Sequence, residues 1–298
     1  MVLIIIKIAL SIAAGIPAGS AVVYVFNHVP GRWFCDYGEN PVERGRELAK
    51  AKGLTEKDAE KVTRSLVDPA FKRIKENPWR WVFAVGFSCI CLRLSLQAAG
   101  QTPAGELFPT GGHFHSGGEQ LLIMQLTLAG LSVCWVLLLI ALADKIYMII
   151  PDQFLLILMP AGAGMLPIHA ETMDTDMGSF LRELTGYRLS DGMLAGIYIF
   201  AGIAIGLGLM LFVALLGRLI SRTDALGMGD VKLYAVLGFA VGAAGIVFVF
   251  LLSTLTAGIW AGLDLARGKT GRRDHKPLGP HICGAAIAYV FIILPYIL

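Results

Sequence analysis

The chain has 298 residues, 56% hydrophobic and 16% charged, with a mean hydropathy of +0.68. Soluble domains carry about 25% charged and about 45–50% apolar residues, so a cytosolic enzyme with a water-surrounded core, a disordered chain and a disulfide-stapled secreted module are excluded. A net charge of +3 gives no reason to invoke nucleic acid. The composition predicts an all-α polytopic membrane protein in contact with a lipid bilayer.

A bilayer-spanning helix needs about 20 mainly apolar residues. That rule predicts about eight spans, at 3–29, 80–100, 120–143, 146–168, 191–219, 231–243, 245–264 and 279–298. The first is too long for the apolar core of a signal peptide and is expected to be a retained anchor. Arg93 and Gln97 interrupt the second. The sixth and seventh meet at Gly242-Ala243-Ala244-Gly245. The organisation follows: a first transmembrane helix in 1–29, a segment at 30–79, and a seven-helix membrane domain in 80–298.

Lys and Arg orient the chain. Twelve lie in 30–80, and with Lys145, Arg218, Arg222, Lys232 and the five in 267–276 they make 21 of 25 on one side. By the positive-inside rule that side is cytoplasmic and both termini face outward. The opposite loops, 101–118 and 169–190, hold only Arg182 and Arg188. Within 30–79, Thr55 begins a helix with Asp58 three residues on, and Val62, Leu66, Ala70 and Ile74 recur every four positions. A helical hairpin or a loop packed on the membrane face is one expectation, because so short a segment cannot build a confident core of its own, and a solvated charged loop is the other.

Acids at the membrane edge are costly and are functional candidates. Asp144 ends an apolar run, Asp152 follows Pro151, and Asp230 closes Gly227-Met228-Gly229-Asp230. The topology puts all three at the cytoplasmic boundary. Two carboxyls brought together there cannot both ionise, so one can take a proton from water while the other polarises a carbonyl. Gly227 and Gly229 would let a substrate backbone approach Asp230. Glycine pairs at Gly192/Gly196, Gly202/Gly206 and Gly238/Gly242 read as helix packing. The six histidines are scattered, and Cys35, Cys89, Cys91, Cys134 and Cys283 form no CxxC pair, so no metal site is expected.

Asp144, Pro151-Asp152, Gly227-Met228-Gly229-Asp230-Val231-Lys232-Leu233 and Pro277-Leu278-Gly279-Pro280, in that order, resemble the type IV prepilin peptidase family of GxGD membrane aspartic proteases. Gly19-Ser20-Ala21 through Val29-Pro30 is similar to that family's N-terminal segment, with departures at Ala21, Val22 and His28. The resemblance implies an aspartic endopeptidase in the bacterial inner (plasma) membrane that cleaves the basic leader of prepilin or pseudopilin substrates at the cytoplasmic side. It implies Asp144 and Asp230 as the catalytic pair, with Asp152, Gly227, Gly229 and Lys232 in support, and no cofactor. The acidic cluster Asp36, Glu39, Glu43 and Glu47 is a candidate to attract the leader's lysines, and Pro277, Gly279 and Pro280 are candidates to bind substrate. Long-form members carry paired CxxC zinc motifs and methylate the new N-terminus. This chain has Cys35 alone there, which counts against both zinc and N-methyltransferase activity. A presenilin-like or signal-peptide-peptidase-like protease, which expects Tyr-Asp and Pro-Ala-Leu blocks, and a non-enzymatic transporter fit less well.

Overall fold

The computed structural model describes residues 2–68, 70–97, 117–165, 183, 191–221, 227–268 and 277–293. Most of the loops 101–118 and 169–190, with Arg182 and Arg188, lie outside the described residues, as do Arg222 and 269–276. Every regular element among the described residues is helical. In chain order these are α1 (Val2–His28), a 3-10 turn (Gly31–Phe34), α2 (Pro41–Ala51), α3 (Glu56–Val67), α4 (Glu76–Gln97), α5 (Gly117–Tyr147), α6 (Asp152–Ala163), α7 (Asp191–Ser221), α8 (Met228–Ala266) and α9 (Gly279–Ala288), which continues as a π turn at Tyr289–Ile293. A helix therefore stands at each of the eight expected places. Among the described residues four stretches are long and apolar enough to cross a bilayer: Ile8–His28, Leu128–Tyr147, Gly196–Leu219 and Met228–Ala266.

The last of these reverses direction. Gly242 has φ 72 and ψ −176 inside the 39-residue run, a conformation that glycine adopts without penalty. Tyr234 and Ser253 are 19 positions apart, yet their hydroxyls lie 2.6 Å from each other. A continuous helix would separate them by about 28 Å. The two arms, 228–241 and 243–266, are thus antiparallel, which sets the expected boundary between the sixth and seventh spans at Gly242. The Ala244 N–H, freed by the break, donates to the Tyr198 hydroxyl at 3.2 Å.

Small residues let these helices touch backbone to backbone. A Cβ on Gly202 would fall 2.3 Å from the Gly238 carbonyl oxygen, and one on Gly238 would fall 2.2 Å from that of Gly202. Two of the glycine pairs read from the sequence therefore pack on each other, whereas Gly196 faces open space. Gly15 and Gly19 do the same for α1 and α4: Cβ atoms there would sit 2.4 and 2.3 Å from the backbone of Ser88 and Phe83. The weakly apolar second span is held by that seam.

The 30–79 segment forms a helical hairpin. Thr55 caps α3, but its hydroxyl donates to the Asp58 carboxylate at 2.9 Å and makes no bond to a backbone N–H. The four-residue apolar stripe outruns its helix, since α3 ends at Val67. Leu66 and Ile74 are buried and Ala70 is exposed. Phe34 of the 3-10 turn fills the space between the hairpin and the bundle. It stacks on Tyr147 at 4.5 Å and lies 5.4 Å from Phe26 and 6.4 Å from Phe154. Tyr147 is fully buried and donates to Ser65 at 3.0 Å, and Arg73 ties the segment to the carbonyls of Phe26 and Asn27 at 2.9 and 3.1 Å. The hairpin therefore roofs the end of the bundle at which α1 and α5 finish and α6 and α8 begin.

Candidate active site

Under that roof lies a cavity of about 780 Å³. Helix α5 runs three residues past Asp144, so this acid lies inside the final helical turn and not beyond the end of the expected 120–143 span. The next residues cannot continue the helix. Met148 has φ 53, and Pro151, which lacks an N–H and holds an extended backbone, precedes α6. That turn brings Asp152 to the first position of α6, six residues later than the expected start of the fourth span. Asp230 stands in the first turn of α8. Asp144 and Asp230, 86 positions apart, line this one cavity together with Asp152, Gly227, Gly229 and Lys232. The two carboxylates lie within electrostatic reach of each other.

Asp144 is 6% exposed, and the Gly279 N–H donates to its Oδ2 at 2.8 Å. This contact requires glycine: a Cβ on Gly279 would lie 2.7 Å from Oδ2 and 2.9 Å from both Cβ and Cγ of Asp144. Pro280 at the first turn of α9 loses no helical hydrogen bond. Within the Pro277–Pro280 motif it is the Gly279 N–H that holds Asp144, and none of Pro277, Gly279 and Pro280 is among the cavity-lining residues. Oδ1 carries no protein hydrogen bond among the described residues, which suits it to a water or a substrate carbonyl.

The two motif glycines differ. A Cβ on Gly229 would meet the Ile150 side chain at 3.1 Å, so its open face is filled by the protein itself. On Gly227 the nearest atom would be Asp230 Oδ2 at 3.7 Å. Gly227 therefore leaves the room beside Asp230 that Gly229 does not. Asp152 and Lys232 pair bidentately, with Lys232 Nζ 2.9 Å from both Asp152 oxygens. Both side chains are at least half exposed, so the pair contributes about 0–1 kcal/mol; its geometric effect is to join the start of α6 to the start of α8.

The acidic cluster divides. Asp36 and Glu39 line the cavity, whereas Glu43 and Glu47 stand exposed on α2 and are not among its lining residues. Glu39 accepts from the Asp36 backbone N–H at 2.9 Å and lies 4.0 Å from Arg44. Cys35 also lines the cavity; burial, and then the negative charge of Glu39, push its thiol above the ordinary range, which disfavours a thiolate. Among the described residues no three His, Cys, Asp or Glu side chains gather as metal ligands would.

Motif reading missed four cavity-side contacts: the Gly279–Asp144 bond, the Lys232–Asp152 pair, and the approach of Arg44 and Lys52 from α2 to the end of α5. A signal for the last was present, since Arg44, Leu48 and Lys52 recur every four residues along one face of α2.

Comparison with known proteins bears on the part of the chain that carries these residues. Residues 131–262 match the model of the type IV leader peptidase family, which supports the resemblance carried by the motifs. The prepilin leader peptidase/N-methyltransferase of Bacillus subtilis (strain 168) is 26% identical over 156 residues, covering 52% of this chain and 52% of that protein. The chain thus aligns with about half the length of this relative. No solved structure matches.

Proposed function

We propose that this chain, whose residues 131–262 match the model of the type IV leader peptidase family, is a membrane endopeptidase of the two-aspartate type. It removes the short basic leader of prepilin-like or pseudopilin substrates at the cytoplasmic face of the bacterial plasma membrane. The observation that carries the reading is the convergence of Asp144 and Asp230, from helices distant in sequence, on one cavity at one end of the bundle. The twelve Lys and Arg residues of 30–80 occupy the same end, which supports a cytoplasmic placement.

The chemistry needs one ionised and one protonated carboxyl. The ionised carboxylate takes a proton from the attacking water, and the acid partner polarises the scissile carbonyl and then protonates the leaving amine. Gly279 holds Asp144 by one oxygen. The room left by Gly227 admits the leader's backbone beside Asp230. The apolar helix of the substrate stays among the spans, and Asp36 and Glu39 face the leader's lysines. Neither a metal nor an organic cofactor takes part.

The test is co-expression of the full chain with a prepilin-like substrate and measurement of the substrate's mobility shift on a gel. Wild type should process the substrate. Asp144→Asn and Asp230→Asn should abolish processing while the protein remains folded and inserted, because the amide is near-isosteric and cannot act as a base; Asp152→Asn should reduce it less. Full processing by either of the first two variants would overturn the reading.

A further inference from the structure

The last turn of any α-helix leaves four carbonyls without intrahelical partners. In α5 that turn carries Asp144, and all four carbonyls are satisfied. The Asp144 carbonyl oxygen accepts from the Met148 N–H at 2.8 Å, the last i+4 bond of the helix, and the positive φ of Met148 then turns the chain away. The next three oxygens are met by two residues, one on α2 and one at its C-cap. Lys52 Nζ donates to the Lys145 and Ile146 oxygens at 3.0 and 2.5 Å, and Arg44 Nη2 donates to the Tyr147 oxygen at 3.4 Å.

This arrangement has a cause in the sequence. Arg44, Leu48 and Lys52 lie one turn apart on the face of α2 and its C-cap, with Leu48 buried between the two cations. Helix α2 is locked to α3 where Gly45 admits Thr63 against its backbone, a Cβ there falling 2.4 Å from the Thr63 hydroxyl. Two positive charges at the C-terminus of α5 also complement its dipole. Burial holds the Lys52 ammonium below the ordinary lysine range, and the nearby Asp144 carboxylate partly offsets that. Arg44 is positioned at a cost of its own: its Nε is buried and makes no hydrogen bond among the described residues.

We propose that Lys52 and Arg44 are positioning residues for Asp144, and that the α2–α3 hairpin clamps the end of α5 so that this carboxyl keeps its place opposite Asp230. The proposal rests on the peptidase reading for its catalytic consequence. Its structural content, that two cations of α2 hold the last turn of α5, does not depend on that reading. Without the clamp the turn frays, Asp144 Oδ2 can no longer meet the Gly279 N–H, and the rate falls without a matching change in substrate affinity.

The experiment uses the full chain in detergent with the same prepilin-like substrate, together with amide hydrogen exchange over 143–149. Lys52→Met should lower kcat by roughly tenfold, the effect of a partly buried cation at a helix C-terminus, with KM changed less than about twofold. Lys52→Arg, which keeps a cation and donors, should restore most of kcat. Arg44→Gln should give a smaller loss, and the double variant a larger one. Exchange should quicken at 143–149 in Lys52→Met and remain at the wild-type rate in α7. Wild-type kcat in the double variant, a loss that Lys52→Arg fails to restore, or exchange quickened evenly through every helix would each overturn the proposal. If wild type cuts nothing, the peptidase reading fails and exchange alone decides: a local rise supports the clamp, and no rise overturns it.

Discussion

Replacing Gly279 by alanine tests the geometry of the site more sharply than removing an aspartate does. The added Cβ would lie 2.7 Å from Asp144 Oδ2 and 2.9 Å from its Cβ and Cγ. Those last two atoms are the root of the side chain, so no rotation of a flexible tip relieves the clash. Either α9 withdraws or the carboxyl turns away, and in both cases the 2.8 Å bond from the Gly279 N–H is lost. A hydrogen bond to a charged group contributes about 1.5–3 kcal/mol. If the bond holds Asp144 in its reactive orientation, that loss lowers kcat by roughly ten- to a hundredfold. Overpacking should also destabilise the fold by about 1–3 kcal/mol, so thermal unfolding is followed beside cleavage of a prepilin-like substrate. Gly284→Ala is the matched control, because the same helix carries it and nothing lies within 4 Å of the added Cβ. Gly279→Ala cleaving at the wild-type rate would refute the orienting role, and an equal loss from Gly284→Ala would show that any alanine on α9 has the same effect.

The divided acidic cluster predicts a divided phenotype: Asp36→Asn with Glu39→Gln should slow cleavage at low salt, whereas Glu43→Gln with Glu47→Gln should leave the rate unchanged, as followed by initial rates over a salt series. Elemental analysis of the purified chain should find no stoichiometric zinc, and chelators should leave cleavage intact; one zinc per chain would contradict the reading of the 30–79 segment. At the start of α3, the Thr55 hydroxyl first and Lys61 second hold the Asp58 carboxyl below its ordinary 3.8. A depressed carboxylate stabilises the fold above its unfolded value, and that contribution is lost as pH falls through the folded value. Thr55→Ala should therefore raise the Asp58 pKa toward 3.8 and shift the acid-side loss of hairpin order to higher pH, measurable by carboxyl-detected NMR.

The linear chain carries the helical class and the rough positions of its helices, because both depend on runs of apolar side chains long enough for a bilayer. The uneven spread of Lys and Arg between alternate connections is equally legible, since it is a count along the sequence. The motif aspartates could be singled out for the same kind of reason: an acid beside an apolar run is costly wherever the chain goes. Boundaries were less legible. Asp144 was expected just past its span and lies inside the last turn of α5, because the helix ends only at the positive φ of Met148. A glycine also admits two backbone outcomes, a bend or a close approach, and only packing selects between them. Gly242 turns the chain, Gly229 accommodates Ile150, and Gly279 makes room for Asp144. The contacts that build the site join residues up to 135 positions apart, such as the Gly279 N–H and Asp144. Arg44 and Lys52 read in one dimension as ordinary surface charge, and it is the docking of α2 against the open carbonyls of α5 that gives them partners. Tertiary structure decides such contacts because a buried donor or acceptor must find a partner wherever the fold brings one within about 3 Å.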